Sequence, residues 1–175
     1  MIKVFLSSAL VVFLCTQCQT KKTASEYLLM VSDTEGDRFG YIDQRGDTII
    51  PLGRCNFCFT DTFRTYAIVH KTSGGYHAID RNEKELYEVF NIDNGPDYVE
   101  EGYFRIIENE KIGYADAATG KIMIKPHYEA AFPFEDGKAK VAVYATSEKD
   151  GEYNIWRSGE WIYIDKKGNT VSSPE

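Results

Sequence analysis

The chemically versatile side chains of this chain are few and widely spread. Cys55-Asn56-Phe57-Cys58 is a CxxC. Zinc asks for four ligands, commonly from two such pairs, and the mature chain offers no second one. Thiol redox chemistry of the thioredoxin kind needs a helix N-terminus to lower a thiol pKa, and the surrounding pattern provides none. A local disulfide or two packed thiols is the expectation for Cys55 and Cys58. The histidines are His70, His77 and His127. His70 and His77 flank a turn at Lys71 to Gly75 and so can approach across a strand pair. With Cys55 or Cys58 they would offer a metal site or an envelope hydrolase or redox centre, the alternative kept open here. Their spacing does not require it, and surface positions at strand ends suit them. Asp43, Asp80, Asp116 and Asp165, with Glu100-Glu101 and Glu135-Asp136, supply carboxylates. A glycosidase needs two across one cleft, one with a raised pKa. The constant relation of the four Asp residues to turn positions explains them as turn formers instead. No catalytic residue, metal or cofactor is assigned. The remaining lead is aromatic: Tyr153, Trp156, Arg157 and Trp161 are expected to be partly exposed, in the combination that binding hot spots favour.

The elements that must position these residues are written in a recurring phrase. FGYIDQRGDTIIP, KIGYADAATGKIMIKP and WIYIDKKGNTVSSP begin at Phe39, Lys111 and Trp161. Each is an apolar run, a turn built on Asp and Gly, and a second apolar run. The turn aspartates are separated by 37, 36 and 49 residues. The long interval holds TSEKDGEYNIWRSG, Thr146 to Gly159, a polar stretch read as an insertion. Before each Asp stand Tyr41-Ile42, Ala78-Ile79, Tyr114-Ala115 and Tyr163-Ile164. Neighbouring strand positions face opposite sides, so apolar residues in both columns predict cover on both faces. The second copy has Glu83 where Gly belongs, which predicts a strained turn or one using Asn82. Another strand precedes each hairpin: Tyr27–Val31 opens the first unit, and Phe59–Ile68 and Val99–Ile107 align with Phe134–Val143. The expected fold is all-β: antiparallel meanders in about four three-stranded units, solenoid-like or closed and propeller-like. A lone hairpin is marginal in water, whereas like neighbours bury each other's apolar faces.

Phe39-Gly-Tyr-Ile-Asp-x-x-Gly resembles the bacterial WG-repeat family. So does Ile112-Gly-Tyr-Ala-Asp followed by Ile-Lys-Pro-His-Tyr-Glu-Ala-Ala-x-Pro-Phe-x-x-Gly-x-Ala. The resemblance extends over nearly all of residues 39–175 and is best at 111–143. The literal Trp-Gly pair is replaced by Phe39-Gly40, Tyr76-His77, Ile112-Gly113 and Trp161-Ile162. It implies β-strand repeats with binding or scaffolding roles and brings no catalytic residues.

The 175-residue chain carries 12 Tyr and a net charge of −7. The aromatic surplus favours pleated surfaces. The negative balance argues against a nucleic-acid backbone or anionic membrane surface as main partner. Met1 to Lys3 and the apolar Val4 to Leu14 read as a signal peptide over 1–17, too short to span a bilayer. Cys18, with Cys15 as competitor, is the expected lipidated residue. Residues 18–25 form a tether, and 26–175 the β-repeat domain. A lipid-anchored protein of the bacterial cell envelope, on the outer membrane or its periplasmic face, is expected, with plain secretion the alternative. Its function is read as non-catalytic binding of a protein or glycan.

Overall fold

The computed structural model describes residues 25–150 and 153–174. The expected signal peptide, Cys15, Cys18 and most of the tether lie outside these residues. No described residue is helical. Four antiparallel meanders follow in chain order. The first is β1 (Leu28–Ser32), β2 (Phe39–Asp43) and β3 (Thr48–Cys58). After the short β4 (Thr62–Phe63) come β5 (Ala67–Lys71), β6 (Tyr76–Ile79) and β7 (Glu85–Val89). The small ribbon β8 (Asn91–Ile92) and β9 (Gly95–Pro96) precedes β10 (Tyr103–Glu108), β11 (Lys111–Asp116) and β12 (Ile122–Tyr128). Then β13 (Ala130–Ala131) leads to β14 (Lys138–Ala142), the inserted hairpin β15 (Thr146–Asp150) and β16 (Tyr153–Arg157), β17 (Ile162–Asp165) and β18 (Thr170–Val171).

The aspartates do the same work in every meander. The N–H of Asp43, Asp80, Asp116 and Asp165 donates to the carbonyl of Asp47, Lys84, Lys121 and Asn169 respectively. Each Asp carbonyl accepts from the last turn residue, Gly46, Glu83, Gly120 or Gly168. Each Asp Oδ1 also takes at least one turn N–H, from Arg45, Asn82, Thr119 and Lys167 at 2.8–2.9 Å. The left-handed position is Gly in three turns, but Glu83 holds it at φ 62°. That is the strain expected of the second copy, and Arg54 Nε ties the Glu83 carboxylate at 2.8 Å.

The first three meanders join in one ten-stranded sheet, ordered β12-β11-β10-β7-β6-β5-β3-β2-β1-β4. The fourth forms a separate sheet, β13-β14-β17-β18. Closure through pairing of the first strand with the last hairpin does not occur: β1 pairs with β2 and β4. Three apolar clusters fill the spaces along the chain. One gathers Leu28, Tyr41, Ile50, Phe63, Val69 and Ile79. The next gathers Ala78, Tyr87, Val89, Phe104, Ile106 and Ala115. The third takes Ile112, Tyr114, Tyr128, Phe134, Val141 and Ile164. Each therefore draws on two successive meanders, because a three-stranded unit is too thin to cover its own side chains.

One alignment is corrected by the packing. Phe63, not Phe59, is the counterpart of Phe134. Phe63 meets the Tyr41 ring at 5.2 Å and Phe134 meets Tyr114 at 4.8 Å, all four buried. Phe59 lies just beyond the end of the long β3 and is exposed.

Candidate functional site

Strand alternation places a lysine among rings. Along β14, Ala139 and Val141 point into the core while Lys140 points out. Lys140 pairs in register with Tyr163 of β17. Trp161, two residues before Tyr163, is thus its diagonal neighbour on one face. The Lys140 ammonium lies 4.7 Å from the Trp161 ring centre and 5.9 Å from that of Phe132. Within about 6 Å a ring face attracts a cation. No carboxylate partners Lys140 among the described residues.

The inserted hairpin closes the other side. Ser147 pairs with Trp156 and Thr146 with Arg157. Trp156 stands edge-on to Phe132 at 5.4 Å and meets Phe90 at 5.9 Å; Phe132 meets Trp161 at 5.7 Å. The Ser158 hydroxyl fastens the hairpin's two ends, lying 2.7 Å from the Tyr144 carbonyl and 3.1 Å from that of Glu160. Arg157 reaches Glu148 at 3.3 Å, an exposed pair of little energetic weight. The result is an open groove of about 720 Å³ between Phe132, Lys140, Trp156 and Trp161, with Tyr144 at its mouth, 79% exposed. Beyond Trp156 and Phe132 it continues into a depression of about 1010 Å³ bounded by Phe90, Arg105 and Ile112.

Glu129 is the carboxylate on the groove wall. Lys111 Nζ holds it at 2.7 Å and the Ala145 N–H at 2.6 Å. These contacts keep its pKa below the usual glutamate range, Lys111 most strongly. An acid catalyst needs the opposite shift, so Glu129 serves as an ionised strut.

Of the residues singled out in the sequence, Trp156, Arg157 and Trp161 come together here. The backbone of Tyr153 lies in β16, and its side chain is outside the described residues. Phe132, Lys140 and Tyr144 escaped the sequence reading because they lie outside the insertion. A signal was present in Phe132-Pro133-Phe134: one phenylalanine per unit fills the core, which leaves the other over.

The remaining candidates do not converge. His70 pairs in register with Tyr76, and His77 with Val69. The two histidines therefore face opposite sides of their hairpin, which corrects the expectation that they approach each other. His77 Nδ1 lies 2.9 Å from Glu85 Oε1, and His70 Nδ1 3.3 Å from Asn56 Nδ2. His127 is exposed on β12. Glu101 is bound to Lys166 at 3.1 Å and takes the Gly137 N–H. No metal-ligating cluster of three or more His, Cys, Asp or Glu occurs among the described residues. Cys55 and Cys58 are free thiols, both buried.

In comparison with known proteins, residues 112–143 fit the family described as WG containing repeat. That span runs from β11 through β14, so it includes Phe132 and Lys140 but not the inserted hairpin. No curated protein and no solved structure matches the chain.

Proposed function

We propose that this chain is a non-catalytic binding module of a bacterial cell envelope, held there by a lipid on Cys18, and that the groove beside the inserted hairpin is its contact site. The four meanders are read as one stacked β-repeat, open and solenoid-like, in which the fourth unit has taken on the insertion that makes it specific. The observation that carries the reading is the joining of Trp156, Phe132 and Trp161 beside Lys140, which has no carboxylate partner among the described residues.

A glycan fits this groove better than a protein. Protein hot spots concentrate in closely packed, fully desolvated pockets. This groove is open, and its rings alternate with Lys140, Arg157, Thr146 and Ser158. Such a lining matches the apolar ring faces and hydroxyls of a sugar chain.

The test applies the mature chain to arrays of envelope glycans and envelope proteins. Trp161→Ala is expected to weaken binding to the captured glycan by at least about tenfold, roughly 1.4 kcal/mol. Deleting residues 146–159 is expected to abolish it while the β-sheet circular dichroism stays. Capture that survives both changes refutes the groove as contact site, and capture of proteins alone refutes the glycan.

A further inference from the structure

A CxxC on a regular strand cannot close on itself. Residues i and i+3 of a strand point to opposite faces and lie about 10 Å apart. Disulfides need Cα atoms within about 4.4–6.8 Å. The long strand β3 breaks that rule locally. Cys55 pairs with Lys71, Phe57 with His70 and Cys58 with Val69, with a register shift between Cys55 and Phe57. Asn56 is thus the extra residue of a β-bulge, and three steps of β3 cover two steps of β5. Lys71 and Val69 are about 6.7 Å apart as alternate residues of one strand. Their partners Cys55 and Cys58 are brought to about that separation, at the upper end of the disulfide range. The bulge also turns both thiols to the buried face, at 7% and 2% exposure, while Asn56 and Phe57 face out.

Both thiols face the same buried side of the bulge and act on each other's ionisation. The neighbouring Cys58 thiol pulls the Cys55 thiol below its usual pKa. The neighbouring Cys55 thiol, with burial, pushes Cys58 upward. Of the two, Cys55 is the thiol whose ionisation is favoured.

From this geometry we propose that Cys55 and Cys58 form a reversible dithiol–disulfide couple, a thiol-exchange site whose co-reactant is a low-molecular-weight disulfide. The Cys55 thiolate attacks one sulfur of R–S–S–R, forming Cys55–S–S–R and releasing R–S⁻, which takes up the proton that Cys55 gave to solvent. Cys58 then loses its proton to solvent and attacks the Cys55 sulfur, breaking the mixed disulfide and releasing the second R–S⁻, which is protonated in turn. Two electrons pass from the protein to the small disulfide, and one Cys55–Cys58 bond forms. Cys55 is the attacking sulfur because it is the more exposed and holds its thiolate more readily.

Closure has a readout on the opposite face. Phe57 projects outward between the two cysteines, its ring 4.6 Å from Phe39 and 4.8 Å from Phe59. Drawing Cys55 and Cys58 together tightens the bulge and turns Phe57 against these rings. The exchange does not depend on what fills the groove beside the inserted hairpin, which neither cysteine lines.

The test uses the full chain with Cys15 and Cys18 replaced by serine, folded, reduced and exposed to glutathione disulfide. Intact mass should fall by two hydrogens, peptide mapping should find Cys55 joined to Cys58, and dithiothreitol should reverse both. The near-ultraviolet circular dichroism of the aromatic row should change with oxidation and recover on reduction. Cys58→Ser should stop at a stable glutathione adduct on Cys55, and Cys55→Ser should react at least about tenfold more slowly. A wild-type chain that keeps two alkylatable thiols, stalls as the mixed disulfide, or reacts only in denaturant overturns the proposal. Equal adduct formation in the two single variants overturns the assigned order of attack.

Discussion

The four turn aspartates show how one residue type is fixed by architecture. Each has its pKa held below the ordinary aspartate range. For Asp43 the Arg45 guanidinium is the main cause, for Asp116 the Thr119 hydroxyl, and for Asp165 the Asn169 side chain. For Asp80, burial pulls upward and the N–H groups of Lys84 and Asn82 prevail. An unfolded aspartate titrates near about 3.9. Since the folded values lie lower, the unfolded chain binds protons first. The stabilisation is whole above about pH 4 and is lost as pH falls through the folded values. The urea midpoint of the wild type should therefore drop steeply below about pH 4. Asp43→Asn should start lower at neutral pH and fall less on acidification. Parallel curves for the two proteins would show that Asp43 carries none of this dependence. The turn role of these residues was legible in the sequence because Asp followed three or four residues on by Gly, as in three of the four copies, is local chemistry. The histidines were not, because their facing depends on register, which spacing alone does not supply.

At the scale of the strand, the glycines of Phe39-Gly40 and Ile112-Gly113 answer a question the repeat phrase leaves open. A Cβ on Gly40 would lie 2.5 Å from the Ile50 carbonyl oxygen, and one on Gly113 only 2.4 Å from that of Ile124. Both contacts arise where the third strand bulges. Tyr41 pairs with Ile50 but Phe39 with Cys55, and Tyr114 pairs with Ile124 but Ile112 with Tyr128. The surplus residues of β3 and β12 fold back over the central strand, and only a residue without a side chain leaves room. In the second meander Tyr76, His77 and Ala78 pair regularly with Val89, Glu88 and Tyr87. No backbone crosses there, and histidine is accommodated. Gly113→Ala should cost about 2–3 kcal/mol in chemical denaturation, because the clash is with backbone that cannot rotate away. A loss under about 0.5 kcal/mol would mean that β12 shifts freely. Sequence comparison among the copies shows where glycine occurs but not why, since the bulges are invisible until strands pair. The same blindness set Phe59 in the place of Phe63: the extra length of β3 displaces the later columns.

Across the molecule, the two sheets are pinned by a buried ion pair. Arg105, in β10 of the large sheet, holds Asp97 at 2.5 Å, and its Nη1 donates to the Ala131 carbonyl of the small sheet at 3.0 Å. Its guanidinium also lies over Phe90, 4.2 Å from the ring centre. Arg105 and Asp97 are 4% and 2% exposed, so neither charge has water to fall back on. Arg105→Met should cost about 3–5 kcal/mol, since it strands a buried carboxylate. Asp97→Leu combined with Arg105→Met should recover a large share in the same unfolding measurement. Equal losses in the single and double variants would show that the bridge to Ala131, not the stranded charge, dominates. None of this was legible beforehand: Arg105 shares a repeat column with Lys140, but Asp97 lies outside the aligned blocks, and their partnership exists because the chain after the β8–β9 ribbon folds back on β10. The all-β, antiparallel order and a separate hairpin within Thr146 to Gly159 were legible, because periodicity and turn chemistry are written locally.

The groove has an optical consequence as well. The chain contains two tryptophans, Trp156 and Trp161, and both stand on its walls. Excitation at the red edge of protein absorbance, where tyrosine is silent, therefore illuminates that cleft and nothing else. Its emission colour and its quenching by added solutes describe the state of one small region, with no label attached.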